Sequence, residues 1–284
     1  MILVDYSQIS TAAFAAAARE ASYDIQLEVE LEQVRHMILN SIRLINSTYS
    51  HEYGEVVIAA DMPNSWRKQI FPYYKANRKA EHDAQDVIDW PKLREVCKTV
   101  LSEMEQYLPY RVVRVENSEA DDIIGVLARK ASDEGELTLI LSGDKDFVQL
   151  QADTIWIKQY CPRRSVFLGH QEPKRLLFEH VCKGDRGDGI PNILSPADSL
   201  VAKIRQKPVR QTKLDLWWED PSEIKDLPRF RENIRLIDLK KTPKGLQEEI
   251  TNKFDTFQVA DRRDLLNYFV KFKLPKLAKQ INDF

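Results

Sequence analysis

The stretch Met1-Ile2-Leu3-Val4-Asp5 is an apolar run that ends in a carboxylate, and this pattern recurs three times along the chain. The run 55–60 is followed by Asp61, the run 110–115 leads to Glu119-Ala120-Asp121-Asp122, and the run 137–141 leads to Asp144-Lys145-Asp146. Strand-like runs separated by helix-length segments predict a parallel sheet, because parallel neighbours need long crossovers. Ligands bind outside the carboxyl ends of such strands, so we expect these carboxylates to converge at one edge.

Converging carboxylates repel one another unless a cation is present, and oxygen ligands suit Mg2+. Each acidic residue also has a structural alternative. Asp5 and Asp61 could cap the following helices, Ser118 and Asp121 could form a capping box, and the residues 144–146 could be a turn followed by a helix start. Because four such coincidences would have to fall at the same end of the sheet, the joint pattern favours a Mg2+ site.

The composition is that of an ordinary globular protein, with 284 residues, 43% hydrophobic residues, 30% charged residues and a net charge of −2. No apolar run approaches the roughly 18 residues that would span a bilayer, and a strand at the first residue leaves no room for a signal peptide. The three cysteines are far apart, which argues against a zinc site or a disulfide framework and for a reducing, cytoplasmic setting.

The chain divides near residue 170 into a region of alternating strands and helices and a region of charged helices. A helix over about 29–46 is predicted by apolar residues at three- and four-residue steps, namely Leu31, Val34, Ile38, Ile42 and Ile45. Pro91 opens a predicted helix that ends near Tyr107, and 154–158 with 165–168 could form a further strand pair. We therefore predict a catalytic α/β region at 1–170 and a helical region at 171–284 that packs against it.

Two basic segments are candidates for nucleic-acid binding. The segment 66–79 interleaves cations with aromatic residues, the combination expected in a channel for a single strand, and its candidates are Arg67, Lys68, Tyr74, Lys75, Arg78 and Lys79. The segment 203–213 has no acidic residue and contains the cations Lys203, Arg205, Lys207, Arg210 and Lys213. The alternatives are a solvated loop anchored by its Tyr and Phe residues for the first segment and a solvated face for the second.

The sharpest single motif is Gly184-Asp185-Arg186-Gly187-Asp188-Gly189-Ile190-Pro191, which could by itself be a surface turn. It resembles the start of the helix–three-turn–helix element in the 5′ nuclease (flap endonuclease) superfamily. The residues 74–78, 119–122 and 142–147 resemble further motifs of that family in their usual order. The residues 4–7, 34–42 and 276–284 resemble its ribonuclease H branch from T-even bacteriophages, so the resemblance covers nearly the whole chain.

The resemblance implies a mostly parallel sheet with helices on both faces (the PIN-like 5′ nuclease fold), a helical arch at about 63–90, and a helix–three-turn–helix element in 171–284 that binds duplex DNA. It implies two Mg2+ ions, with Mn2+ as a substitute. One ion would lie near Asp5, Asp61, Glu119, Asp121 and Asp144, and the other near Asp146, Asp185 and Asp188, with Asp122 ranked below these. Lys75 and Arg78 would act catalytically at the scissile phosphate, and Tyr74 would stack on a terminal base.

The implied function is a Mg2+-dependent, structure-specific 5′ to 3′ nuclease that removes RNA primers and 5′ flaps from duplex DNA in phage-type lagging-strand replication. Its products would carry a 5′-phosphate and a 3′-hydroxyl. The implied partners are DNA and RNA/DNA duplexes with a nick or 5′ flap, a replication clamp and a single-stranded-DNA-binding protein, and the nuclease would be a monomer. Residues 192–198 replace the family's usual glycine-rich hairpin, where a monovalent cation would bind.

Three alternative functions fit the sequence less well. A PIN-like ribonuclease shares the carboxylate-rich α/β site, but such domains are shorter and lack the basic segment and the Gly-Asp-x-x-Asp element. A structure-specific DNA-binding protein with an impaired site is disfavoured by the full acidic set. A haloacid-dehalogenase-type phosphatase would need an acid two residues after its nucleophile, whereas Asp5 is followed by Tyr6 and Ser7. The five histidines are scattered and show no ligand spacing.

Overall fold

A computed structural model describes residues 1–22, 31–78 and 89–284. Its central sheet contains six strands: β1 (Ile2–Asp5), β2 (Val56–Ala59), β3 (Arg111–Val113), β4 (Thr138–Leu141), β5 (Ile157–Cys161) and β6 (Val166–Leu168). Their order is β3-β2-β1-β4-β5-β6, and all neighbours are parallel except the antiparallel pair β5 and β6. Because β2 and β4 lie on opposite sides of β1, the strand order reverses there and opens a crevice at the carboxyl ends.

The described helices are α1 (Tyr6–Ser22), α2 (Leu31–Tyr53), α3 (Trp66–Ile70), α4 (Trp90–Tyr107), α5 (Ala120–Asp133), α6 (Pro173–Lys183), α7 (Gln211–Glu219), α8 (Pro228–Ile237), α9 (Lys244–Thr256), α10 (Leu265–Lys271) and α11 (Pro275–Ala278). A 3-10 helix spans Lys145–Gln151. The start of α4 at Trp90, with proline in its first turn, agrees with the prediction. The helix predicted over 29–46 extends further, to Tyr53, and residues 29 and 30 lie outside the described ones.

Helices cover both faces of the sheet because side chains alternate along its buried strands. In β1, Ile2 and Val4 pack in one hydrophobic cluster with Ile38 of α2 and Val100 of α4. Leu3 faces the opposite side and packs in a second cluster, whose helical members include Ile124 of α5 and Ile250 of α9. This arrangement gives a rigid sheet whose loops at the carboxyl ends are held in place from both faces.

The helical C-terminal region packs directly on the sheet region. The helix α9 contacts α5 and β3, while Leu265, Tyr268 and Phe284 belong to the same cluster as the α2 side chains. A third cluster joins α6, α7 and α8 to Phe71 and Tyr74 from the basic segment. None of the helices in the described ranges is both long enough and apolar enough to cross a membrane.

Candidate active site

The carboxyl ends of the strands carry a first group of acidic side chains. Asp5 is the last residue of β1 and is buried, with Oδ1 accepting a hydrogen bond from the Ser7 hydroxyl at 2.8 Å. The Ala120 amide donates to Asp61 Oδ1 at 2.8 Å and so connects the loop after β2 to the start of α5. Both carboxylates therefore have structural contacts as well as positions at the crevice.

Asp121 is at the centre of this first group. Burial raises the pKa of Asp121 well above its usual range; Lys75 acts in the opposite direction, and the carboxylates of Asp144, Asp5 and Glu119 raise it further. Electrostatic coupling of this kind requires the four acidic side chains to lie near one another. The structure thus brings together carboxylates that are up to 139 positions apart in the sequence, from Asp5 to Asp144.

The start of α5 decides which of its two consecutive aspartates faces the crevice. The N-cap is Glu119, one residue later than the predicted cap at Ser118, and its amide donates to Asp122 Oδ2 at 3.0 Å. Successive residues on a helix point about 100° apart, so Asp121 is free to face the sheet edge while Asp122 closes the capping box.

Asp122 is therefore a correction to the predicted metal ligands. Its side chain is fully buried and pairs with the buried Arg67. Oδ2 accepts from Arg67 at 2.9 Å, and Oδ1 accepts from Trp66 at 3.2 Å and from the Thr242 hydroxyl at 3.0 Å. Because its side chain has no exposed surface and its oxygens accept from buried protein donors, Asp122 fixes the helix start and is not open to a metal ion.

A second acidic group lies beside the first. A small cleft is lined by Asp121 of the first group and by Asp146, Asp185 and Asp188 of the second. Burial raises the pKa of Asp146 to about 7; His180 lowers it, while Asp144, Asp185 and Asp188 add to the rise. Burial also disfavours the ionised form of Asp185, but a hydrogen bond from His180 and one from the Asp188 amide outweigh it and hold the pKa of Asp185 at about 2.

His180 lies within the second acidic group, although no spacing in the sequence indicates it. Its Nε2 lies 2.9 Å from Asp185 Oδ2 and its Nδ1 lies 3.3 Å from Asp146 Oδ1. Gly184 makes this possible, because it ends α6 with φ of 70° in a conformation that suits glycine, and a Cβ there would lie 2.4 Å from the Ile190 carbonyl oxygen. The turn at Gly184 returns Asp185 to the side of His180, a contact that residue spacing alone does not indicate.

The basic segment is attached to the acidic loop. The Lys75 amide donates to the Asp188 carbonyl at 2.8 Å, and Lys75 has φ of 56°, in the left-handed region that non-glycine residues rarely adopt. Arg78 Nη2 lies 2.6 Å from Asp188 Oδ1. Gly189 allows this close approach, since a Cβ there would lie 2.8 Å from the Tyr73 carbonyl oxygen. Both cations proposed to meet the scissile phosphate are thus held beside the carboxylates.

Glu119 accepts hydrogen bonds from four side chains of the site. Oε2 accepts hydrogen bonds from Ser65 at 3.0 Å, Arg67 at 2.9 Å and Tyr74 at 2.9 Å, while Oε1 pairs with Lys75. Burial alone would raise its pKa, but the cations Lys75 and Arg67 and the hydrogen bonds outweigh burial and lower the pKa of Glu119 to about 2. Glu119 is therefore ionised at neutral pH and fixed in one orientation.

Two predicted nucleic-acid contacts are wrong because the side chains are buried. The Arg67 side chain is only 3% exposed, and it bridges Glu119, Asp122 and the Leu236 carbonyl oxygen. The Tyr74 ring is buried in the third cluster, and its hydroxyl lies 2.9 Å from Glu119 and 2.8 Å from Asp188, so it offers no face for stacking. Both residues instead attach the basic segment 66–79 to Glu119.

The remaining residues predicted to contact nucleic acid are exposed or partly exposed wherever the structure describes them. Lys68 and Arg78 are exposed, whereas Lys79 and the rest of the predicted arch as far as residue 88 lie outside the described residues. In the second basic segment the five cations are all exposed, namely Lys203, Arg205, Lys207, Arg210 and Lys213. The loop that replaces the glycine-rich hairpin is tied to this segment, since Asn192 Nδ2 donates to the Lys207 carbonyl at 2.7 Å.

A carboxylate-lined cleft at the switch point of a parallel sheet, bordered by cations, is suited to holding divalent metal ions beside a phosphate. Residues 1–175 match the family of 5′-3′ exonuclease N-terminal, resolvase-like domains, and residues 174–284 match the C-terminal domain of T4 RNase H. The chain therefore belongs to the 5′-3′ exonuclease family, whose members are metal-dependent, structure-specific 5′ to 3′ nucleases. This membership confirms the predicted family, fold class and enzyme class.

Individual relatives agree with this assignment. The chain is 29% identical to the ribonuclease H of Enterobacteria phage T4 over 296 aligned residues, which cover 99% of this chain and 95% of that protein. It is 30% identical over 158 residues to DNA polymerase I of Chloroflexus aurantiacus, covering 51% of this chain and 16% of the polymerase. The structure resembles that of a bacteriophage T5 flap endonuclease in complex with DNA and metal ions, with a TM-score of 0.59 and 15% identity over 90% of this chain and 98% of that one.

Proposed function

We propose that this nuclease uses Mg2+ to remove RNA primers and 5′ flaps from duplex DNA in phage-type lagging-strand replication, leaving a 5′-phosphate and a 3′-hydroxyl. The observation that carries the proposal is the convergence of Asp121, Asp146, Asp185 and Asp188 on one cleft beside Lys75 and Arg78. Proteins similar to this chain include a ribonuclease H and a flap endonuclease, which supports this substrate class.

The side chains of the cleft fit divalent cations. All the donors of the two acidic groups are carboxylate oxygens, the ligands that Mg2+ prefers. Burial raises the pKa values of Asp121 and Asp146, and neighbouring carboxylates raise them further, so a cation in the cleft would favour the ionised forms. Asp146 Oδ1 is also inaccessible to solvent and accepts no hydrogen bond from any described residue.

We assign one ion to Asp5, Asp61, Glu119, Asp121 and Asp144 and the other to Asp146, Asp185 and Asp188, with Mn2+ as a substitute for Mg2+. When bound, the two ions supply charge neutralisation and water activation for in-line displacement at phosphorus. Mg2+ keeps several of its waters, so many of these carboxylates would act through water.

The cations of the basic segment would bind and orient the scissile phosphate. Arg78 is 46% exposed and pairs with Asp188, while Lys75 is 18% exposed and lies 3.8 Å from the same carboxylate. A substrate phosphate would give these two cations a second anion to pair with, besides the Asp188 carboxylate. The buried Arg67 and Tyr74 hold the segment in place, so that Lys75 and Arg78 meet the substrate at a fixed distance from the carboxylates.

The exposed cations between Lys203 and Lys213 would follow the duplex backbone next to the cleft. The clamp, the single-stranded-DNA-binding protein and the monomeric state stay predictions. So does a monovalent cation at residues 192–198, where Asn192 Oδ1 accepts hydrogen bonds from the Leu194 amide at 3.0 Å and the Ser195 hydroxyl at 2.9 Å.

A labelled duplex with a nick or a 5′ flap, carrying either an RNA or a DNA 5′ segment, tests the proposal in the presence of Mg2+. We expect cleavage of the 5′ segment, and we expect Asp121→Asn and Asp146→Asn to abolish it while substrate binding changes by a few-fold at most. Asp133→Asn is the matched control, because Asp133 is an exposed acid at the far end of the same helix. Cleavage by either site variant within a few-fold of the parent rate would overturn the metal assignment.

A further inference from the structure

The imidazole of His180 lies between two carboxylates of the second acidic group. Its side chain is 12% exposed, with Nε2 lying 2.9 Å from Asp185 Oδ2 and Nδ1 lying 3.3 Å from Asp146 Oδ1. One ring nitrogen and one oxygen from each aspartate lie within 4.8 Å of one another. This is a mixed nitrogen and oxygen donor set, unlike the all-oxygen set predicted from the sequence.

The hydrogen bonds assign different roles to the two ring nitrogens. An ionised carboxylate only accepts hydrogen bonds, so the contact with Asp185 places the ring proton on Nε2. The other Asp185 oxygen accepts from the Asp188 amide at 3.0 Å, which fixes the carboxylate in place. The Nδ1 lone pair is then directed towards Asp146.

The contact between Nδ1 and Asp146 Oδ1 is favourable only when a proton or a metal ion lies between the two atoms. Within the described residues Asp146 Oδ1 accepts no hydrogen bond, although it is inaccessible to solvent. Without a proton between them, two lone pairs 3.3 Å apart repel each other, and that separation is close to the distance between neighbouring ligands of one metal ion. Metal bonds of about 2.0–2.2 Å place such ligands roughly 3 Å apart.

We propose that His180 is a nitrogen ligand of the divalent cation held by Asp146, and that Asp185, which we assign to the same ion, also orients the imidazole. This inference rests on the proposed metal site and adds a prediction of which metal ions that site prefers. Metal-binding histidines usually donate their second ring N–H to a carboxylate, as Nε2 does here. Imidazole favours transition metals over Mg2+, so this position binds Co2+ and Mn2+ more tightly than a site of oxygen atoms alone would.

The direct test is pulsed electron paramagnetic resonance of Mn2+ bound to the full chain. We expect a nitrogen coupling that changes when the protein is prepared with 15N-labelled histidine and that disappears in His180→Gln. His51→Gln is the matched control, because His51 is an exposed histidine in the last turn of α2. The wild-type spectrum alone decides whether a histidine nitrogen binds the metal, even if the variant folds poorly.

Calorimetric titration with Co2+ and with Mg2+ tests the selectivity. We expect His180→Gln to weaken Co2+ binding at least about tenfold, the effect typical of removing a group that supports a metal site, and to change Mg2+ binding much less. Equal losses for both metals, or bound Mn2+ without histidine coupling, would overturn the role of His180 while leaving the metal-dependent nuclease intact. A wild-type protein that binds neither metal would overturn both proposals.

Discussion

The Arg78 guanidinium forms an ion pair with the Asp188 carboxylate at 2.6 Å, so a cation proposed to contact the scissile phosphate touches a proposed metal ligand. Lys75 lies 3.8 Å from the same carboxylate, and its amide donates to the Asp188 carbonyl. A substrate phosphate would therefore compete with the Asp188 carboxylate for these two cations, and a metal ion bound at Asp188 would favour the substrate.

This relationship predicts the kinetic behaviour of the two cations. Lys75→Ala and Arg78→Ala should each lower the single-turnover cleavage rate by about tenfold to a hundredfold while substrate affinity changes by less than about threefold, because contacts that strengthen in the transition state have that signature. Rapid-quench assays at saturating enzyme measure the rate, with Lys98→Ala, an exposed lysine of α4, as the control. A loss confined to affinity would assign these residues to ground-state binding.

The second basic segment should behave in the opposite way. Replacing Lys203, Arg205 and Lys207 together by alanine should weaken duplex binding and make the affinity less dependent on salt. The slope of log affinity against log salt concentration should fall in magnitude by about 0.9 for each phosphate that is no longer neutralised. The single-turnover cleavage rate of this triple variant at saturating enzyme should not change, because the exposed side chains that it lacks would contact the duplex and not the scissile phosphate. Fluorescence anisotropy over a series of salt concentrations is the measurement, and an unchanged slope would remove this segment from the interface.

The burial of Arg67 predicts a loss of stability. Arg67→Met removes a buried cation and leaves Glu119 and Asp122 without it, and breaking a buried ion pair typically costs about 3–5 kcal/mol. The neighbouring Lys68 is exposed, so Lys68→Met should change the free energy of unfolding by less than about 0.5 kcal/mol. Urea unfolding of the metal-free protein compares the two, and similar effects would contradict the buried position of Arg67.

The raised pKa of Asp146, about 7, predicts how metal binding depends on pH. Between the usual carboxyl pKa and pH 7, the folded protein keeps a proton that the unfolded chain has lost, so the stability of the metal-free protein falls as pH rises through this window. Mg2+ needs the ionised carboxylate, so its stabilising effect grows over the same window. The pKa of Asp185, about 2, acts in the opposite sense and only at lower pH.

Thermal unfolding at millimolar Mg2+ measures this effect. The increase in melting temperature caused by Mg2+ should be larger at pH 8 than at pH 6, and Asp146→Asn should reduce the difference between the two. A Mg2+ effect that is equal at both pH values, or larger at pH 6, would contradict the raised pKa of Asp146.

The sequence predicts the position of the site because strand periodicity and strand ends are local signals. Asp5 and Asp61 follow apolar runs, and a parallel sheet necessarily brings such positions to one edge. Which acidic residue faces the crevice depends on where the helix begins. A cap at Ser118 would place Asp121 in the capping box, whereas the observed cap at Glu119 places Asp122 there and leaves Asp121 beside the other carboxylates.

Burial and contacts across loops are the parts that the sequence does not reveal. Arg67 and Tyr74 lie in a basic and aromatic segment whose composition suits a solvated loop or a binding surface, and only packing against Glu119 and α8 decides between them. His180 pairs with Asp185 through a turn at Gly184, and with Asp146 from a different element. Neither partner lies at a spacing typical of metal ligands.

The polarity of cleavage tests the central claim most directly. A flapped duplex labelled on the flap strand, with its 5′ end either free or blocked by a bulky group, is incubated with the protein and Mg2+. The proposed function predicts products released from the 5′ side, with cleavage reduced by the block and abolished by EDTA. Release of mononucleotides from the 3′ end, at a rate that the 5′ block does not change, would contradict it.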